Sequence, residues 1–133
     1  MLAKDKDNKY IVYRFGTTKS VELEYPEKNK DSWNKFQYTY YMRGGGKANE
    51  GMELDDLHFV NKGYEYILFN NYSAGSATEK ESRTVGIAIV KSTDKNYDKA
   101  VIVKGKPETV KGGWYNLREA GLIKNGEEKY GLY

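Results

Sequence analysis

The sequence predicts one mostly β domain, an antiparallel barrel or sandwich of seven to eight strands with one short helix near the C-terminus. Three observations predict it. Apolar and polar residues alternate with a period of two through much of the chain, as in strands with one buried face. Tyrosine is abundant, 13 of 133 residues, and it buries a ring while keeping its hydroxyl wet, which suits half-buried sheets. Short Gly- and Asn-containing links separate the runs, with no alternation of strands and helices, so neighbouring strands form a meander. The length suits a single core, so residues 1–133 read as one domain.

Residues 1–8 (MLAKDKDN) are polar and read as a loose tail. In KYIVYRF, residues 9–15, Ile11, Tyr13 and Phe15 share one face. Gly16 to Lys19 form a turn. From Ser20 to Tyr25, Val21, Leu23 and Tyr25 point in while Glu22 and Glu24 point out. The two runs make a hairpin. Pro26 ends it, because it brings no amide hydrogen to a ladder. Residues 27–32 are a charged loop. The stretch WNKFQYTYYMRGGG, Trp33 to Gly46, is the long strand on which the others are organised. Phe36, Tyr38, Tyr40 and Met42 lie on one side; Gln37, Thr39, Tyr41 and Arg43 lie on the other.

A Gly-rich loop is expected from Arg43 to about Asp56, then a short strand DLHFVN, a turn at Asn61-Lys62-Gly63 and a strand from Tyr64 to Phe69. Residues 70–83 are small and polar and read as a second long loop. Thr84 to Val90 is nearly continuously apolar, as for a central strand, and Gly86 in it implies a bulge or a close approach by a bulky ring. Ala100 to Val103 is a further strand. Gly112-Gly113 breaks the chain, and WYNLREAGLI, 114–123, spaces Trp114, Leu117 and Leu122 as a short helix. Asn116 or Gly113 is the expected cap, and Gly121 the stop. The remainder contains a turn at Asn125-Gly126 and a small edge strand.

The chemistry that can be sought is limited. There is no cysteine and a single histidine, which argues against zinc and thiol chemistry, and no cofactor or metal motif is present. His58 lies on the face opposite Leu57 and Phe59 and reads as a strand-surface residue; no nucleophile elbow accompanies it. Glu22 and Glu24 are close enough for a carboxylate-based hydrolase, against a plain solvated face. The charge of +3, from 22 basic and 19 acidic residues, is too small and too interspersed to predict nucleic acid. Even so, Arg14, Lys35 and Arg43 beside exposed aromatics leave a stacking platform for single strands as an alternative. No run of 18 apolar residues is present. The start MLAKDKDNKY has no apolar signal core, so the expectation is a cytoplasmic protein or one whose export signal was removed.

What remains is binding of another protein through loops, without catalysis. Long loops on a rigid sheet carry recognition. The segments 43–54 and 70–83 are such loops, with Tyr41, Arg43, Gly44, Gly45 and Tyr72 in or beside them, and Tyr and Arg are common anchors.

The hairpin YIVYRFGTTKSVELEYP, residues 10–26, resembles the opening of small exported bacterial β-barrels, the membrane-bound lysozyme inhibitor family among them. The shared features are an aromatic strand, a polar turn and a V-x-L-x-Y-P strand. The resemblance implies a periplasmic protein or lipoprotein of the cell envelope, an inhibitor or immunity-type protein that inserts a loop into the cleft of a wall-degrading enzyme. Ser73 in YSAGS and Lys62 in NKG are the nearest counterparts of that family's inhibitory serine and lysine. The family's paired cysteines are absent here.

Overall fold

The computed structural model describes residues 1–46, 49–112 and 114–127. Among them, nine strands form two sheets. The small sheet contains β1 (Leu2–Lys4), β2 (Ile11–Gly16) and β3 (Val21–Tyr25) in that order. The large sheet contains β4 (Gln37–Arg43), β5 (Met52–Asn61), β6 (Tyr64–Ser73), β7 (Ser82–Lys91), β8 (Val101–Lys104) and β9 (Lys124–Asn125), in the order β8-β7-β6-β5-β4-β9. Neither sheet closes on itself, so of the two expected architectures the sandwich fits and the barrel does not.

The two sheets meet over one aromatic cluster. Phe59 is its hub and is 2% exposed. Its ring centroid lies 4.8 Å from Tyr66 and 5.1 Å from Tyr25, both stacked, and 5.3 Å from Phe36 and 5.6 Å from Tyr13. The large sheet thus supplies Phe59 and Tyr66, and the small sheet supplies Tyr13 and Tyr25. The joint is sealed from below by a 3-10 turn, Lys30–Lys35, which buries Ser32 and Trp33. Ser32 Oγ accepts from the Ile11 amide at 2.9 Å, and Trp33 Nε1 donates to the Asn8 carbonyl at 3.0 Å. Trp33 therefore belongs to the turn that ties the sheets together, and the strand expected to start there begins at Gln37.

Several boundaries differ from the alternation in the sequence. The supposed tail pairs with β2 over residues 2–4, with Leu2 opposite Tyr13 and packed against the core. Three residues are too few to show a period. β5 starts at Met52 rather than at Asp56, and β6 runs on to Ser73. Residues 52–56 look like loop because Glu53, Asp55 and Asp56 are acidic, yet β5 is hydrogen-bonded on both sides, to β4 and to β6, over this stretch. Ladder pairing outweighs local propensity there. The described loop residues are 44–46 and 49–51 between β4 and β5, and 74–81 between β6 and β7. Tyr115–Ala120 form α1, which ends at Gly121 with φ 63, as its sequence predicts. Trp114, not Asn116, occupies its N-cap position, without a side-chain capping bond; Gly113 lies outside the described residues. The small edge strand is β9, which pairs in parallel with the start of β4.

Both faces of β6 and β7 are buried at their centre, as the continuous apolar runs require. On the side away from the small sheet these are Ile67, Phe69, Ala88 and Val90. His58 is on this side too. It is 6% exposed, so it is not the surface histidine its alternating neighbours suggest. Its Nδ1 lies 3.5 Å from Glu65 Oε1, and Gly126 of the segment after β9 packs against its ring. Gly86 faces Phe69 here, and a β-carbon at position 86 would lie 2.6 Å from Phe69 Cζ.

Candidate functional site at the hairpin end

The β4–β5 and β6–β7 hairpins turn at the same end of the large sheet. Their loops are joined: the Ala74 amide donates to the Gly51 carbonyl at 2.8 Å, extending the β5–β6 ladder past its last strand residues. The first loop is turned by a bond from the Gly46 amide to the Asn49 carbonyl at 2.9 Å, and Arg43 Nε reaches across its neck to the Glu50 carbonyl at 3.0 Å. In the second, the Gly75 amide donates to Ser73 Oγ at 3.2 Å and Gly75 takes φ 75, a value that favours glycine. Tyr41, Arg43, Gly44, Gly45, Tyr72 and Ser73 are all brought to this end. Lys62 is not. It turns the β5–β6 hairpin at the other end of the ten-residue β5, roughly 30 Å away.

The core-facing side of the same end holds a polar group that the sequence does not reveal. Register places Tyr40 opposite Asp55 and Met42 opposite Glu53, with Asn70 and Tyr72 next along. α1 lays Arg118 over these strands. Its guanidinium carbon is 3.8 Å from the Tyr40 ring centroid and 5.7 Å from that of Tyr115, and one terminal nitrogen donates to Glu53 Oε1 at 3.1 Å. A second cation over a ring stands nearby, Arg83 at 5.8 Å from Tyr72. Behind them the Tyr38 hydroxyl donates to Asp55 Oδ1. A cleft of about 730 Å3 opens beside Arg118, lined by Tyr38, Tyr40, Leu117, Ile123 and Lys124 among others.

Burial decides the protonation of this group. Asp55 is 4% exposed, and burial pushes its carboxyl above the ordinary carboxylate value; the Glu53 charge adds to this, while the Tyr38 hydrogen bond and the charges of Arg118 and Arg83 offset only part. Burial also raises the Tyr38 hydroxyl, and its bond to Asp55 raises it further. For Arg118, burial works against the charge, but the contact with Tyr40 and the neighbouring acidic groups outweigh it.

A pH dependence follows. A carboxyl whose folded pKa is raised keeps its proton where the unfolded chain, with its ordinary aspartate value of 3.8, has lost it. Its contribution is therefore most favourable below that value and declines as pH rises toward the folded pKa. Asp55→Asn, which keeps an acceptor for Tyr38, is expected to remove that decline and give a Tm at pH 7 equal to or above the parent's. Thermal unfolding across pH 3–8 checks this; a clear loss of stability at pH 7 would instead mark an ionised Asp55 paired with Arg118.

Glu22 and Glu24 are placed differently. Glu22 is exposed, and Glu24 is held ionised below its ordinary value, first by its bond to Arg14. Neither lines a cleft described here. Among the described residues, no group of three or more His, Asp or Glu is placed to hold a metal ion. The sequence reading reached Tyr41, Arg43 and Tyr72 but missed Arg118, Glu53, Asp55 and Arg83. The one local signal was the alternation through Met52, Leu54 and Asp56, which places Glu53 and Asp55 on the face of Leu57. No protein-family model, no curated protein and no solved structure matches this chain.

Proposed function

We propose that this is a non-enzymatic protein-binding domain of the bacterial cell envelope, an inhibitor or immunity-type protein that engages its target with the hairpin end. The observation that carries the reading is the joining of two hairpin loops by the Ala74–Gly51 bond, within a surround of Tyr41, Tyr72, Tyr115, Arg43, Arg83 and Arg118. Tyrosine and arginine dominate the energetics of protein interfaces. Met42, 66% exposed, adds an adaptable apolar contact. The acidic residues Glu50, Glu79 and Glu81 in or beside the same loops oppose a phosphate backbone, which favours a protein over nucleic acid.

The resemblance of residues 10–26 to lysozyme inhibitors directs the first test. The immobilised domain is exposed to a panel of lysozymes, and retained enzyme is measured at low and high salt. The expected result is stoichiometric, salt-resistant retention of at least one enzyme and loss of its activity. Tyr72→Ala is expected to weaken that complex by about 30-fold, the effect of losing an interface anchor. Lys62→Ala, at the far end, should leave it unchanged. A panel of lysozymes that all pass through removes the inhibitor reading, and a complex sensitive to Lys62 but not Tyr72 removes the hairpin end.

A further inference from the structure

A second cleft, of about 800 Å3, lies between the small sheet and β6–β8, bordered on one side by residues 109–112 and by Trp114, Asn116 and Leu117. Its walls are mainly apolar and include Ile11, Phe15, Leu68, Val85, Val103 and Trp114. Phe15 and Val103 sit on the sides of their strands that face the sandwich interior, yet they remain 50% and 49% exposed. The two sheets diverge here and leave the apolar walls wet. A concave apolar site of this volume is of the size that takes a small organic molecule.

Two further observations indicate what kind. Asn70 lines the cleft, is 9% exposed, and its side-chain oxygen has no hydrogen-bond partner among the described residues. A buried amide oxygen left unpaired is destabilising, and a donor group on a ligand that reached it would supply the missing partner. An asparagine amide rotates to offer either its oxygen or its NH2, so it serves a hydroxyl or an oxyanion. The charged residues among the described lining are Lys4, Lys104 and Lys111, with no carboxylate. Lys104 is paired with Gly86, so its side chain leaves β8 on the face away from the small sheet, and Lys4 and Lys111 are the cations on the cleft side. Lys4 Nζ is bonded to Asn8 Oδ1 at 3.0 Å, while Lys111 is exposed and forms no ion pair among the described residues.

The geometry points to a binding site for a small amphipathic organic anion, an acyl-chain carboxylate being the simplest, with its chain between the sheets and its head group among the lysines. This assignment does not rest on the reading of the hairpin end.

The test titrates the protein with dodecanoate, dodecanol and dodecyltrimethylammonium, each below its micellar concentration, followed by calorimetry and native mass spectrometry. Dodecanoate is expected to bind one to one, dodecanol more weakly, and the cation not at all. The double reversal Lys4→Glu/Lys111→Glu is expected to weaken dodecanoate at least about 10-fold. Val85→Trp, which fills the cleft, is expected to abolish binding. Thermal unfolding reports whether that variant folds; if it does not, the charge reversal at two exposed positions decides. Equal binding of cation and anion, an unchanged affinity in the charge-reversed protein, or no binding of dodecanoate below its micellar concentration overturns the site.

Discussion

Phe59→Ala is expected to lower the unfolding free energy by about 3–5 kcal/mol, the range for deleting a buried aromatic ring. The upper part of that range applies. Phe59 touches four other rings drawn from both sheets and from the residue before β4, so its loss opens a space that no one neighbour can fill by changing rotamer. Two of the contacts are stacked pairs, and aromatic pairs add about 0.5–1.5 kcal/mol each beyond the area they bury. Domains of this size hold roughly 5–15 kcal/mol in total. The variant should therefore unfold at a Tm lower by roughly 10–20 °C. Phe59→Leu, which retains bulk, should lose about half as much. Urea denaturation of the three proteins checks the order. A loss under about 1 kcal/mol for Phe59→Ala would mean that the sheets are not held together at this cluster.

Gly86→Ala is expected to cost about 1–3 kcal/mol or more, although alanine is harmless in most strands. The added methyl meets two objects of different kinds. One is the Phe69 ring, 2.6 Å from the new carbon; the other is the Val103 carbonyl on β8, a backbone atom that moves only if β8 moves. The ring contact is relieved by a smaller side chain and the carbonyl contact is not. Gly86→Ala with Phe69→Leu should therefore recover part of the penalty, and the remainder should show as faster hydrogen exchange in β8. Full recovery in the double variant, or unchanged exchange along Val101–Lys104, would show that β8 yields freely.

The sequence conveyed those parts of the fold that depend on neighbours along the chain. The β2–β3 hairpin follows from alternation between Ile11 and Tyr25, the doubly buried strands from the apolar runs in β6 and β7, the ring against Gly86 from a glycine inside such a run, and the helix stop from Gly121. What stayed hidden depends on partners far away in sequence. β1 exists because Leu2 finds Tyr13. The small edge strand β9 is expected from the sequence, but its parallel pairing of Lys124 with Gln37 is not. The acidic start of β5 is a strand because it is paired on both sides. The candidate site divides in the same way. Tyr41, Arg43, Gly44, Gly45, Tyr72 and Ser73 gather because meander hairpins put alternate turns at one end. That same rule sends Lys62 to the opposite end. Arg118 joins Glu53 across 65 residues, a juxtaposition that no local pattern encodes.

The bond between Ala74 and Gly51 has a consequence for kinetics and for change over time. Two loops joined at their bases present those bases to a partner in one register, and the disorder lost on fixing the bases relative to each other is lost in folding, not in the encounter. Recognition by such a surface varies chiefly in how long a complex lasts, because encounter rates among related complexes differ little. An insertion between either strand end and this bond would break that register. A lineage altering this end would vary side chains on a constant frame more readily than it would vary loop length.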